Sequence, residues 1–258
     1  VCSHRQFCLT APYIGGCYFG NHTCSYNFYL RMLLRNLGMA TFTIGLPPSQ
    51  LRPIVLASQS PRRKELLAQI LGSTSFLVIP SQFDEATLLP LKQQSNDGEV
   101  SVETYVITSA SKKCEDVWKS KKYKSPNSIV IGSDTVVSLA DLGILEKPVD
   151  HADAARMLTA LSGNFHDVHT GVSLRYKTST NEEQHESFSV STRVKFSELS
   201  QQDIDMYINT GEPMDKAGSY GIQGIGGQFV ESIEGDYHNV VGLPLNALSK
   251  ALAKILKH

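Results

Sequence analysis

Ile54-Val55-Leu56-Ala57-Ser58-Gln59-Ser60-Pro61-Arg62-Arg63-Lys64-Glu65-Leu66-Leu67 reads as a short apolar strand leading straight into a helix. Pro61 suits the first helical position, where its missing N–H would have no partner anyway. Leu66, Leu67, Ile70 and Leu71 form one apolar stripe, and Gly72 is a natural stop after the last turn. A helix N-terminus carries partial positive charge, so each cation there costs roughly 0.3–1 kcal/mol. Adjacent arginines at that end make sense where an anion sits between them and the free backbone N–H groups. The alternative is a solvated, charged helix start, and spacing alone leaves both readings open.

Downstream, strands and helices alternate. Phe76-Leu77-Val78-Ile79 reads as a second strand and residues 90–101 as a polar loop. Val102, Tyr105, Val106, Ser109, Ala110, Lys113 and Val117 keep helical spacing as far as Trp118. Ile129-Val130-Ile131-Gly132 is a fully apolar strand ending in Ser133-Asp134-Thr135, and Val136-Val137-Ser138-Leu139 continues extended to a turn at Asp141-Leu142-Gly143, with a short return. Asp150 can cap a helix that turns Ala154, Met157, Leu158 and Leu161 inward. Residues 165–176 and 188–196 alternate like half-buried antiparallel strands. Ser200 with Asp203 fits a capping box for a helix closed by Gly211. A Gly-rich stretch, a strand over 229–233 and a C-terminal helix from Pro244 follow. This alternation, with a hairpin pair, predicts an α/β fold with a mixed sheet and flanking helices.

Composition narrows the function. At 258 residues the chain can bury a sizeable core. A net charge of -1 argues against bulk nucleic-acid or anionic-membrane binding, so anion affinity must come from a local cluster. The basic run Lys112, Lys113, Lys119, Lys121, Lys122 and Lys124 reads as a solvated helix end and loop. No apolar run approaches the roughly 18 residues of a membrane span. Four of the 5 cysteines (Cys2, Cys8, Cys17 and Cys24) fall in the first thirty residues, without C-x-x-C spacing. The remainder looks disulfide-free and cytoplasmic. Residues 1–38 show no sustained period and read as an N-terminal extension, as a presequence, an alternative exon or read-through sequence would be. The domain proper is expected over 39–258, beginning at Met39.

Several residues invite chemistry. Asp134 stands at the carboxyl end of an apolar strand, where open α/β sheets place their ligand crevice. It is a metal ligand or base, or else a polar cap bonded to nearby backbone. Glu85 lies in a polar loop and Lys147 follows a short strand; a solvated acid and an edge-strand cation are the plainer readings. The segment Asp215-Lys216-Ala217-Gly218-Ser219-Tyr220-Gly221-Ile222-Gln223-Gly224-Ile225-Gly226-Gly227 is glycine-rich beyond what a stable loop needs, unless backbone must approach something closely. It is neither a P-loop nor a Rossmann fingerprint. Two arginines, two lysines, two acids and an amide on separate loops suit a triphosphate with a divalent metal. Ser58 and Ser60 have no nearby His and no G-x-S-x-G elbow, although spatial pairing with His151, His166 or His169 stays open.

Taken in order, the motifs resemble the Maf family of nucleoside-triphosphate pyrophosphatases from about Ile54 to Leu256. They are Leu56-Ala57-Ser58-Gln59-Ser60-Pro61-Arg62-Arg63, Asp84-Glu85, Gly132-Ser133-Asp134-Thr135-Val136-Val137, Glu146-Lys147-Pro148, the Gly-rich segment from Asp215, and Asn239-Val240-Val241-Gly242-Leu243-Pro244. The resemblance implies an elongated α/β fold, similar to inosine triphosphatases, with two lobes around a central cleft, often as a homodimer. It implies hydrolysis of a nucleoside triphosphate to the monophosphate and pyrophosphate with a divalent cation, Mg²⁺ or Mn²⁺. Asp134 matches the catalytic acid and, with Glu85, the metal position. Ser60, Arg63, Lys113, Lys147 and Lys216 match substrate-handling positions. Arg62, Thr135 and Gln223 match the subfamily that acts on dTTP and UTP rather than the one preferring 7-methyl-GTP. The different-class alternative is a non-catalytic nucleotide-binding regulator, which would need the arginines but not the acid. An interaction module built on helices would leave the Gly-rich segment unexplained.

Overall fold

The computed structural model describes residues 52–72, 76–120 and 127–256. The extension over residues 1–38, the start at Met39 and the basic side chains of Lys121, Lys122 and Lys124 lie outside the described residues. Among those described, seven strands form one sheet: β1 (Ile54–Leu56), β2 (Leu77–Val78), β3 (Ile129–Leu139), β4 (Gly143–Leu145), β5 (Phe165–Lys177), β6 (Glu183–Phe196) and β7 (Val230–Glu234). Their order is β2-β1-β3-β5-β6-β7, with β4 beside the end of β3. β1 runs parallel to β2 and β3, and the remaining pairs are antiparallel. The mixed α/β expectation holds.

The helices are α1 (Pro61–Leu71), α2 (Leu89–Asn96), α3 (Val102–Lys119), α4 (His151–Leu161), α5 (Gln201–Asn209), α6 (Tyr237–Val241) and α7 (Leu245–Ile255). None is long and apolar enough to cross a membrane. Local chemistry sets their ends as the sequence implies. Ser60 caps α1 by accepting from the Arg63 N–H, and Gly72 closes it in the left-handed region at φ 59°. Asp150 caps α4, and Ser200 with Asp203 forms a full capping box on α5.

Apolar faces dock these helices on the sheet. Leu66, Leu67 and Ile70 of α1 meet Leu248, Leu252 and Ile255 of α7 over Ile129, Ile131, Val172 and Leu174. Helices α4 and α5 cover Val168, Val194 and Phe196. Helix α3 presses directly on the sheet backbone. A Cβ on Gly132 would fall 2.4 Å from the Ala110 carbonyl oxygen, and one on Gly171 2.2 Å from that of Val106. Only glycine admits backbone contact of that kind.

Residues 90–101 are not simply a loop, because α2 occupies Leu89–Asn96. Its anchors are tertiary rather than periodic: Leu88 and Ser95 are buried, and Asn96 Oδ1 accepts from the Ile144 N–H at 2.8 Å. Strand β6 begins at Glu183, ahead of the alternating stretch, because it pairs along the whole of β5. Strand β2 is two exposed residues at the sheet edge.

His166 of β5 sits 2% exposed in the aromatic cluster of Phe196, Tyr220 and Phe229. Its Nε2 pairs with the Tyr220 hydroxyl at 2.9 Å, while Nδ1 has no partner among the described residues. Burial pulls its pKa from 6.5 to about 4. Between those values the unfolded chain takes up a proton that the folded chain refuses, so stability is lost as pH falls through that window. Urea unfolding at pH 7 and pH 5 should show the parent losing about 2 kcal/mol more than His166→Gln, from linkage of a single site. Equal losses would mean that His166 takes up its proton as readily in the native core as in the unfolded chain.

Candidate active site

A cleft of about 680 Å³ opens at the carboxyl end of β1 and beside the middle of β3. Asp134 lies within that strand rather than at its carboxyl end, because β3 runs on to Leu139 to pair with β4 and β5. It is bounded by the β1–α1 loop, the turn at Glu85–Leu88, helix α3, the segment after β4 and the Gly-rich segment. Ser60, Arg62, Arg63, Glu85, Lys113, Asp134, Thr135, Lys147 and Gln223 all line it. Lys216 does not. Its Nζ turns away to the Glu212 carbonyl oxygen at 2.7 Å and the Asp215 carboxylate at 2.6 Å, and Gly221 packs on its stem. The structure therefore brings together every candidate except Lys216, which braces the loop from behind.

Lys113 holds the acids together. Because α3 presses on Gly132, its ammonium reaches Asp134 Oδ1 at 2.7 Å, and it also meets Glu85 Oε1 at 3.0 Å. Asp134 is 7% exposed, and burial alone would raise its pKa. The positive charges of Lys113 and Arg63 outweigh that and hold the carboxyl below its ordinary value, so it stays ionised at neutral pH. Glu85 opens a single turn capped by Asp84, whose side chain accepts from the Ala86 N–H at 3.0 Å.

Arg63 is fixed rather than mobile. Its Nε donates to the Gly242 carbonyl at 2.9 Å, Nη2 to Thr135 Oγ1 at 2.8 Å, and Nη1 to Ser58 Oγ at 3.4 Å. Thr135 lies 3.0 Å from the Thr170 hydroxyl, which donates to the Asn239 carbonyl at 3.1 Å. With the proton of Thr170 committed, Thr135 must donate to it and accept from Arg63. The Thr135 hydroxyl is thus engaged in orienting Arg63. Among the described residues neither Ser58 nor Ser60 pairs with a histidine. His169 instead bonds Ser138 and Ser191, and His166 bonds Tyr220.

Tyr105 and Glu146 line the cleft too, though neither stood out as a candidate in the sequence. The Tyr105 hydroxyl and the Lys92 ammonium both contact Glu146, each at 2.6 Å. Tyr105 shares the inward stripe of α3 with Lys113, eight residues on, and that spacing was the available signal. Pairing leaves a residue of positive charge in the cleft. Glu85 and Asp134 share the one charge of Lys113, while Glu146 is matched by Lys92 and Asp215 by Lys216, so three lysines meet four carboxylates and three further cations remain. Arg62, Arg63 and Lys147 have no carboxylate within ion-pair distance among the described residues.

For a divalent cation the donor types fit. Glu85 and Asp134 offer hard carboxylate oxygens converging on one point, which is where the Lys113 ammonium now lies. No group of three His, Cys, Asp or Glu side chains that could hold a metal occurs among the described residues, so phosphate oxygens and water would complete the shell.

The family described as Maf-like protein matches residues 53–255. A dTTP/UTP pyrophosphatase of Clostridium perfringens (strain SM101 / Type A) is 48% identical over 199 residues, covering 77% of this chain and 95% of its own. A human protein named probable bifunctional dTTP/UTP pyrophosphatase/methyltransferase is 43% identical over 208 residues, covering 78% of this chain and 32% of its own. A nucleoside-triphosphatase / dITP/XTP pyrophosphatase structure from Mycobacterium abscessus covers 78% of this chain and 96% of its own at 13% identity and TM-score 0.37, too slight a likeness to carry weight.

The Lys113 bridge has a measurable consequence. Removing the ammonium in Lys113→Met leaves two uncompensated carboxylates, so nucleotide-free protein should bind Mn²⁺ about 10-fold more tightly, given charge-pair strengths at partly buried sites. Paramagnetic titration of free Mn²⁺ reads this directly. Unchanged affinity would show that Lys113 does not stand where the cation goes.

Proposed function

The chain belongs to the Maf-like protein family, and from that footing we propose that it hydrolyses nucleoside triphosphates, dTTP and UTP foremost, to the monophosphate and pyrophosphate. The observation that carries this reading is the set of three unpaired cations, Arg62, Arg63 and Lys147, gathered in one cleft with an ionised, buried Asp134. A polyphosphate matches that charge, and a binder of phosphates alone would have no use for the acid. The names of the relatives, dTTP/UTP pyrophosphatases in both bacterial and human chains, point the same way.

In this reading the triphosphate lies along Arg63, Lys147 and the N–H groups at the start of α1. Arg63 meets it in a preset orientation, so little reorganisation is needed as charge develops on the leaving group. Asp134 accepts a hydrogen bond from the attacking water and draws off its proton as the new P–O bond forms at the α-phosphorus. The bond from that phosphorus to the bridging oxygen breaks, and pyrophosphate departs with the electron pair. Before a cation is bound, Lys113 keeps Asp134 ionised and aimed. When bound by Glu85 and Asp134, a Mg²⁺ or Mn²⁺ ion would offset charge on phosphate oxygens and acidify coordinated water. Gln223, exposed on the Gly-rich segment at the cleft edge, presents an amide donor and acceptor to the base, with Arg62 beside the phosphates.

Asp134→Asn should lower pyrophosphate release from UTP and dTTP by about 10²–10⁴-fold, the usual cost of losing a general base, in a folded protein that still binds nucleotide. Near-normal release would end the assignment. Gln223→Ala should reduce the preference for UTP over GTP in kcat/KM more than it reduces maximal rate. Unchanged selectivity would remove Gln223 from base recognition.

A further inference from the structure

Gln223 sits in a stretch that carries glycine at 218, 221, 224, 226 and 227, a composition that on its own favours mobility. Something must hold such a segment still if it reads a base. We propose that Glu212 is a positioning residue for base recognition, its carboxylate pinning the segment on both sides of Gln223. This rests on the pyrophosphatase reading of the cleft and names a residue that the reading does not itself require.

Glu212 lies in a short turn (Glu212–Asp215) behind the segment, outside the cleft lining. Its Oε2 accepts from the Ile225 N–H at 2.9 Å, and its Oε1 from the Gly226 N–H at 3.2 Å. The same Oε1 accepts from the Tyr207 hydroxyl at 2.9 Å, and that hydroxyl in turn accepts from the Gly221 N–H at 3.1 Å. One carboxylate thereby fixes Ile225 and Gly226 directly, and Gly221 through Tyr207. Ile222 packs into the core, leaving Gln223 as the exposed, cleft-lining side chain between anchored points. The contact is tight: a Cβ on Gly224 would fall 2.4 Å from Glu212 Oε1, and one on Gly226 2.5 Å from the Tyr207 hydroxyl. Tyr207 is itself held edge-to-face on Phe229 at 4.9 Å. Burial disfavours the charge on Glu212, but the Ile225 and Gly226 N–H groups, Tyr207 and Lys216 hold its pKa below the ordinary value. A carboxylate accepting from three donors cannot be replaced by an amide, whose NH₂ would face N–H groups.

The test measures equilibrium binding of the α,β-methylene analogues of UTP and GTP, and of inorganic triphosphate, to the parent, Glu212→Gln and Tyr207→Phe. Glu212→Gln should weaken the UTP analogue about 10-fold while inorganic triphosphate stays within about 2-fold, since charge-assisted hydrogen bonds to the segment are lost and the phosphate contacts are not. Tyr207→Phe should shift the same ratio in the same direction, and less. An unchanged UTP-to-GTP ratio in both variants, or equal weakening of all three probes, would overturn the proposal. A parent protein without base preference would also overturn it. A parent that binds the UTP analogue selectively yet releases no pyrophosphate from UTP would instead sink the catalytic reading and leave the role of Glu212 standing.

Discussion

The backbone contact between helix α3 and the sheet, at Gly132 and Gly171, is the constraint on which the rest of the site depends. Gly132 and Asp134 are two residues apart on β3, so they share a face of the sheet. Pressing α3 onto the first glycine sets the depth at which its side chains meet the second residue. At that depth Lys113 reaches Asp134 at 2.7 Å. A larger residue at 132 would lift the helix and separate the pair, leaving a buried carboxylate without its counter-charge, among the costlier defects a core can carry. The glycines are thus electrostatic determinants, although they bear no charge.

The same geometry explains how the cleft can be both acidic and anion-seeking. Its carboxylates are each already ion-paired with a lysine from α2, α3 or the Gly-rich segment, Glu85 and Asp134 sharing one, and the cations without such a pair belong to the start of α1 and the segment after β4. A polyanion entering the cleft therefore meets positive charge without first displacing an ion pair. The Lys113 ammonium meanwhile keeps Glu85 and Asp134 together and Asp134 ionised, standing at the point that a divalent cation would have to take over from it.

Much of this was legible in the sequence where local rules act alone. Ser60-Pro61 fixed the start of α1, and Asp150 and Ser200 fixed two further helix starts. Asp134 does line the crevice, but from the middle of β3 rather than from the strand end that its sequence suggested. Failures came where distant parts of the chain decide. Helix α2 is stabilised by Asn96 reaching Ile144, which no period records. The inward turn of Lys113, within what reads as a solvated basic run, depends on how closely α3 approaches two glycines far away in sequence. Lys216 was carried by the family resemblance alone, yet its ammonium is taken up by the Glu212 carbonyl and the Asp215 carboxylate, so it does not line the cleft. Glu212 sat just before the Gly-rich segment and carried no signal, because its partners are mostly backbone N–H groups, which every sequence possesses.

Arg62 and Arg63 show why adjacent identical residues should not be given one role. Successive residues on a helix point about 100° apart. Arg63 therefore faces the Gly242 carbonyl, 179 positions away, and the hydroxyl chain through Thr135 and Thr170, and becomes a preset element. Arg62, without hydrogen bond or ion pair among the described residues, keeps its freedom. Electrostatic catalysis favours donors that need not reorganise as charge develops, whereas selection among substrates tolerates a side chain that adjusts to what is bound. The positive end of α1 disfavours both arginines equally. What separates them is that only one has been given acceptors by the rest of the fold, so under the proposed pyrophosphatase function the fixed one is assigned to the reacting phosphates and the free one to choosing between ligands.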